Sequence, residues 1–166
     1  CHTPHGATTG RLAPLWNRVN TDLSGNLLYS SSTFNAPDTS AGYTDATINQ
    51  SDAPLCLSCH DGVSVTDNLV NMPNSGLAVP TTQITNGNAL ILGDAEEMSN
   101  DHPIGFCYVQ VSVSDLEIRN PPSAGPALFD GDMWCSSCHD VHDNTITPFL
   151  VTSNVNSALC LACHIK

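Results

Sequence analysis

The octapeptide Cys135-Ser136-Ser137-Cys138-His139-Asp140-Val141-His142 constrains this chain more than any other stretch. It reads C-x-x-C-H, with a second histidine three residues after the first. Two thiols at that spacing reach the two vinyl groups on one edge of a porphyrin and form thioethers. The adjacent histidine then falls under the iron, which makes C-x-x-C-H the signature of c-type haem attachment. His142 lies too close along the backbone to swing to the opposite face of that same iron. It is free to ligate another.

The pattern recurs as Cys56-Leu57-Ser58-Cys59-His60 and Cys160-Leu161-Ala162-Cys163-His164. The chain opens on Cys1-His2-Thr3-Pro4-His5, a fourth copy that lacks its first cysteine and both spacer residues. Cys135/Cys138 and Cys160/Cys163 are also spaced like the paired ligands of a zinc ribbon, and eight cysteines could form a disulfide framework. Neither alternative requires a histidine directly after every C-x-x-C pair. With 7 histidines in 166 residues, three such coincidences have odds on the order of one in ten thousand, whereas haem attachment demands all three. Haem is the reading that survives.

Composition then explains how such a chain can fold. Aromatic residues are only 5 % and Pro and Gly are abundant, so a single domain spanning residues 1–166 has little large apolar surface to set against chain entropy. Four covalently attached haem c groups would supply that surface. The expected fold is mostly coil with a few short helices and minor β, wrapped around a stacked haem array.

The formal charge is −12, with only Arg11, Arg18, Arg119 and Lys166 positive. Nucleic acid and anionic lipid surfaces are poor partners for such a chain. No apolar run reaches the length of a membrane span. Haem c is attached on the outer side of the energised membrane, so export is expected, to the cell surface or beyond it, with the periplasm as the alternative. A chain beginning inside a motif is expected to have lost its start, including any signal segment.

Local patterns place the motifs. Ser51-Asp52-Ala53-Pro54 and Asn156-Ser157-Ala158-Leu159 read as helix starts just ahead of cysteines. Leu27-Leu28-Tyr29-Ser30 reads as a short strand or an extended edge, residues 35–54 as surface loop, and Pro73–Gly76 and Thr85–Asn88 as turns. Tyr108-Val109-Gln110-Val111-Ser112-Val113 alternates with period two and is the best strand candidate. Asn120-Pro121-Pro122 and Gly125-Pro126 break structure before the third motif. Trp16 follows the first motif closely enough to pack on its haem. Cys107 has no motif partner; a buried free thiol fits it best, with a Cys1–Cys107 disulfide as the rival.

Cofactor attachment thus falls to Cys1, Cys56, Cys59, Cys135, Cys138, Cys160 and Cys163. The proximal imidazoles are His2, His60, His139 and His164; His5, His102 and His142 are the distal candidates. Pro103 stiffens the backbone beside His102 in a way that would hold an imidazole over an iron. Four bis-histidine irons need eight imidazoles and the chain has seven. The eighth is expected upstream of Cys1, with Met72, Met98 and Met133 as alternatives.

The ordered set Cys1–His5, Pro14-Leu15-Trp16-Asn17, Leu55–Gly62, Ser99–Phe106, Cys135–His142 and the C-terminal motif resembles a family of exported tetrahaem c-type cytochromes of metal-reducing and related bacteria. It is similar to the extracellular members that polymerise into conducting filaments. The resemblance covers essentially the whole chain. It implies bis-histidine haems, little regular structure and a role in electron transfer; separately, a histidine supply that nearly saturates the irons and the scarcity of basic residues speak against an enzyme. The resemblance also implies identical subunits joined head to tail, with His5 ligating the last haem of a neighbour, and other redox proteins or extracellular acceptors as further partners. By analogy with His5, His142 would reach the second haem, leaving His102 for the first or third. The alternatives are a soluble periplasmic carrier and, more remotely, a multihaem reductase.

Overall fold

The computed structural model describes residues 2–3, 5–7, 13–34, 43–62, 69–72, 83–85, 87–92 and 97–165. Cys1 and the turn at residues 73–76 lie outside them. Regular structure is sparse and mostly coil links it. In chain order the elements are β1 (Leu27–Leu28), α1 (Asp45–Gln50), α2 (Ala53–His60), β2 (Glu97–Met98), β3 (Phe106–Cys107), α3 (Tyr108–Ser114), β4 (Asp132–Met133), α4 (Cys135–Cys138) and α5 (Ala158–Leu161). Single 3-10 turns cover Gly87–Ala89 and Val155–Ser157.

Two small apolar clusters hold the elements together. Leu23, Ile48, Ala53, Leu57, Leu92 and Met98 form the first, around α1, α2 and β2. Phe106, Tyr108, Val111 and Met133 form the second, around α3 and the antiparallel pair β3–β4. Tyr43 packs against both. β1 and β2 pair in parallel, Leu27 with Glu97 and Leu28 with Met98, so the expected short strand at Leu27-Leu28 is present. Gly105 joins the two clusters: its backbone is left-handed and presses on Ile48, where a Cβ would sit 2.7 Å from the Ile48 Cα. Only a residue without a side chain fits there.

Two expectations fail. The segment Tyr108–Val113 is helical, not a strand. Tyr108, Val111 and Ser112 are buried, the spacing of one helix face, while Val109 and Val113 are exposed. Period-two alternation would have sent all three valines to one side. Burial of Tyr108 beside Phe106 and Met133, and Ser112 Oγ bonding back to the Val109 carbonyl at 2.8 Å, outweigh the β-propensity of valine. The reading of residues 35–54 as surface loop also fails over its second half. Thr44 and Thr47 cap α1 reciprocally, Thr47 N–H to Thr44 Oγ1 at 3.3 Å and Thr44 N–H to Thr47 Oγ1 at 3.0 Å, and Ile48 is fully buried. That reciprocal bonding satisfies the first amides of a helix too short to form alone.

Candidate haem-attachment sites

Each complete motif lies on or just after a short helix, as the sequence predicts. α2 carries Cys56, Cys59 and His60; Cys135 and Cys138 bound α4; α5 ends within the last motif. A helical turn puts residues three apart on one side, so both cysteines face one way and the second spacer faces the protein body. Ser58, Ser137 and Ala162, the second spacers, are all buried. Ser58 Oγ donates to the Leu55 carbonyl at 2.7 Å, and Ser137 Oγ accepts the Trp134 N–H at 2.9 Å. The smallness of that position was visible in the sequence; its role was not.

Two of the cations, Arg18 and Arg119, are built into these motifs. Arg18 is fully buried and donates through Nε to Ser58 Oγ at 3.1 Å and through Nη2 to the Ser58 carbonyl at 2.6 Å. Arg119 donates to the Leu161 carbonyl at 3.2 Å. Both therefore act inside a C-x-x-C loop.

The imidazoles are set for metal. Nδ1 of His2 lies 2.5 Å from the Pro14 carbonyl, Nδ1 of His60 2.6 Å from Ala89, Nδ1 of His102 2.9 Å from Pro103, and Nδ1 of His139 3.1 Å from Pro148. A carbonyl only accepts, so Nδ1 carries a proton in each, and Nε2 is the nitrogen that would bind a metal. Desolvation, with His164 close by, holds His102 below its ordinary pKa, and the Pro103 hydrogen bond opposes that shift.

Two pairs of imidazole rings lie close together, one edge-on and one tilted. His102 and His164 have centroids 6.4 Å apart, and so do His2 and His142. Nitrogen binds first-row metals at about 2 Å, so two imidazoles on opposite faces of one iron have centres about 6 Å apart. A cavity of about 400 Å³ lies beside the first pair, lined by His102, His164, Cys160, Cys163, Tyr108 and Val111 among others. Its walls, its thiols and its paired imidazoles fit a haem held by Cys160, Cys163, His164 and His102. Among the described residues the imidazole in ring contact with His142 is His2 and the one in ring contact with His102 is His164, so the nearest neighbours differ from the pairings read from the sequence. Sequence spacing could not settle this, because the loops that bring these rings together are long. Among the described residues no second imidazole stands at that distance from His60 or His139, and His5 is exposed.

The rival chemistries find no support in the geometry. Cys56, Cys59, Cys107, Cys135, Cys138, Cys160 and Cys163 are all free thiols, and Cys107 is half-buried. Among the described residues the four sulfurs of the last two motifs do not converge on one metal position; the one such cluster is Asp52, Cys56 and Cys135. Met98 and Met133 are buried in the two apolar clusters and Met72 is exposed. Trp16 is buried with its ring edge-on to His2, 5.5 Å between centroids.

Residues 127–166 match the doubled CXXCH motif. The match supports a c-type cytochrome with haem-binding motifs, and it covers the last two motifs with their intervening loop. No curated protein matches the chain.

The third motif is where the others meet. His142, just beyond it, lies close to His2; Cys135 lies beside Cys56. Cys138 and His139 line the cavity of the last motif. Burial, with Cys163 and Cys160 close by, pushes the Cys138 thiol up to about 11, and the hydrogen bond with Cys56, with burial, pushes Cys135 well above its ordinary range. Among the described residues no helix is long and apolar enough to cross a membrane.

Proposed function

We propose that this protein is a tetrahaem electron carrier whose irons are ligated by pairs of imidazoles. The observation that carries this reading is the close pair His102 and His164 on the wall of an apolar cavity that Cys160 and Cys163 also line. Bound haem supplies one-electron redox chemistry at its iron. The chain's part is to fix imidazole tautomers through backbone carbonyls, to anchor the porphyrin edges through thioethers, and to set one motif against the next. Ligation from both faces leaves no open iron for a substrate, which favours a carrier over a reductase.

Within that reading the protein is exported, and it assembles head to tail as an extracellular filament. Support comes from the resemblance of its motifs to filament-forming cytochromes and from His5, an exposed imidazole too close to His2 to serve the same iron. The resemblance directs His5 of one copy to the last haem of its neighbour; with His102 assigned to that haem, the iron held by His60 or His139 is the alternative. Such a contact joins unlike surfaces and does not close on itself, which generates an open filament. Val113 and Leu116, 73 % and 87 % exposed, give an apolar edge for the subunit contact to bury. The second reading is a monomeric periplasmic carrier.

Denatured mass spectrometry of the purified protein should show four haem additions, and the oxidised protein should be low-spin throughout. His102→Ala should convert one iron to a high-spin or water-ligated form. Three haems, or a large high-spin fraction in the unaltered protein, would overturn the tetrahaem bis-imidazole assignment. Electron microscopy separates filament from monomer, and His5→Ala should load its haems yet assemble poorly.

A further inference from the structure

Asp52 precedes α2 but does not cap it with its side chain. Both carboxylate oxygens reach instead to the start of α4: Oδ1 accepts the Cys135 N–H at 3.0 Å and Oδ2 accepts the Ser136 N–H at 2.8 Å. The residue is only 9 % exposed. Meanwhile its own main-chain carbonyl accepts the amides of Leu55 and Cys56 at 2.9 and 3.2 Å. One residue therefore holds the first turn of the second motif through its backbone and the first turn of the third through its side chain. These elements are 83 residues apart in sequence along the Asp52–Cys135 bond.

The consequence is at the sulfurs. Cys56 Sγ, Cys135 Sγ and an Asp52 oxygen lie within 4.8 Å of one another. Thioether formation consumes both thiols, so this trio is a junction between two attachment sites rather than a metal site. Charge-assisted hydrogen bonds to two amides are strong and directional, and two of them fix rotation as well as distance.

We propose that Asp52 is the positioning residue for electron exchange between the haems of the second and third motifs, holding Cys56 and Cys135 side by side so that the two cofactors couple through their attached edges. The inference rests on the haem reading above. The exchange itself moves one electron from a reduced iron to an oxidised one; no bond forms or breaks and no proton moves.

The test uses the haem-loaded full chain with Asp52→Asn and Asp52→Ala. Asparagine keeps the shape and one acceptor, but turns an N–H donor toward the other amide. Haem number is read by mass spectrometry, and spin–spin broadening between the two irons by electron paramagnetic resonance. The expected result is full haem loading in Asp52→Asn with the broadening at least halved, and a further loss in Asp52→Ala. Hydrogen exchange at the Cys135 and Ser136 amides should rise in the same order. If Asp52→Ala fails to load, Asp52→Asn decides. A fully loaded Asp52→Asn protein with unchanged broadening overturns the proposal. Absence of covalent haem in the unaltered protein is a different result and would overturn the haem reading itself.

Discussion

Helix α2 carries its motif on eight residues and buries Ala53, Pro54, Leu57 and Ser58; α4 and α5 have four residues each, and α5 buries none. The second motif thus sits in an ordinary apolar cluster, with Arg18 bonded beneath it. The last two motifs are held by backbone hydrogen bonds such as Val151 N–H to the Cys138 carbonyl at 3.0 Å and Arg119 N–H to Cys163 at 2.7 Å, around a cavity. One chain uses two ways of presenting the same five-residue signature. Where side chains form a core, the cofactor is an addition to a folded element. Where they leave a cavity, a bound cofactor would complete the packing of a chain with few aromatic residues.

The largest effect that would break this contrast is loss of the central haem. Replacing Cys135 and Cys138 by Ala should remove hydrogen-exchange protection across residues 97–165 while Asp45–His60 stays protected. The matching change at Cys56 and Cys59 should cost one haem and leave the C-terminal region protected. Equal loss of protection in both variants would show that the two regions do not differ.

Next in size is Gly105→Ala, at the seam between the clusters. Its positive φ and the overlap with Ile48 should together cost about 3 kcal/mol or more, read by denaturant unfolding. Leu57→Ala should cost about 2–5 kcal/mol through the cavity it leaves. The corresponding first-spacer change Leu161→Ala, at a half-exposed position, should stay within about 0.5 kcal/mol. The pair sharpens the comparison, since both substitutions fall at the same place in the same motif. Ser58→Ala should cost about 1–3 kcal/mol, because a buried Arg18 donor loses its hydroxyl acceptor. Ser137→Ala, which removes only a neutral bond to the Trp134 amide, should cost less.

The attachment cysteines, their helices and the sparse regular structure were legible because C-x-x-C-H is a local pattern and composition limits the rest. His102 was legible as a ligand candidate from Pro103 beside it. The ring neighbours of His102 and His142 were not, since contacts between residues so far apart in sequence leave no local pattern. Asp52 illustrates the same limit. Sequence marks it as a helix start, and its carboxylate serves a different helix. At α3, the alternation of valines spoke for a strand until Tyr108 found its place against Met133.

Three of the four carbonyls that hold an imidazole Nδ1 belong to prolines: Pro14, Pro103 and Pro148. A pyrrolidine ring fixes φ, so those acceptors have fewer orientations to sample before the imidazole arrives. The proton is assigned to one nitrogen in advance, and a neutral ring so fixed has no proton to shed when it meets a metal. The polypeptide therefore behaves as a jig. Much of the ordering that a metal centre usually imposes on its ligands has been done by the backbone, which leaves the ligands less freedom to capture the wrong iron while several porphyrins are being loaded into one short chain.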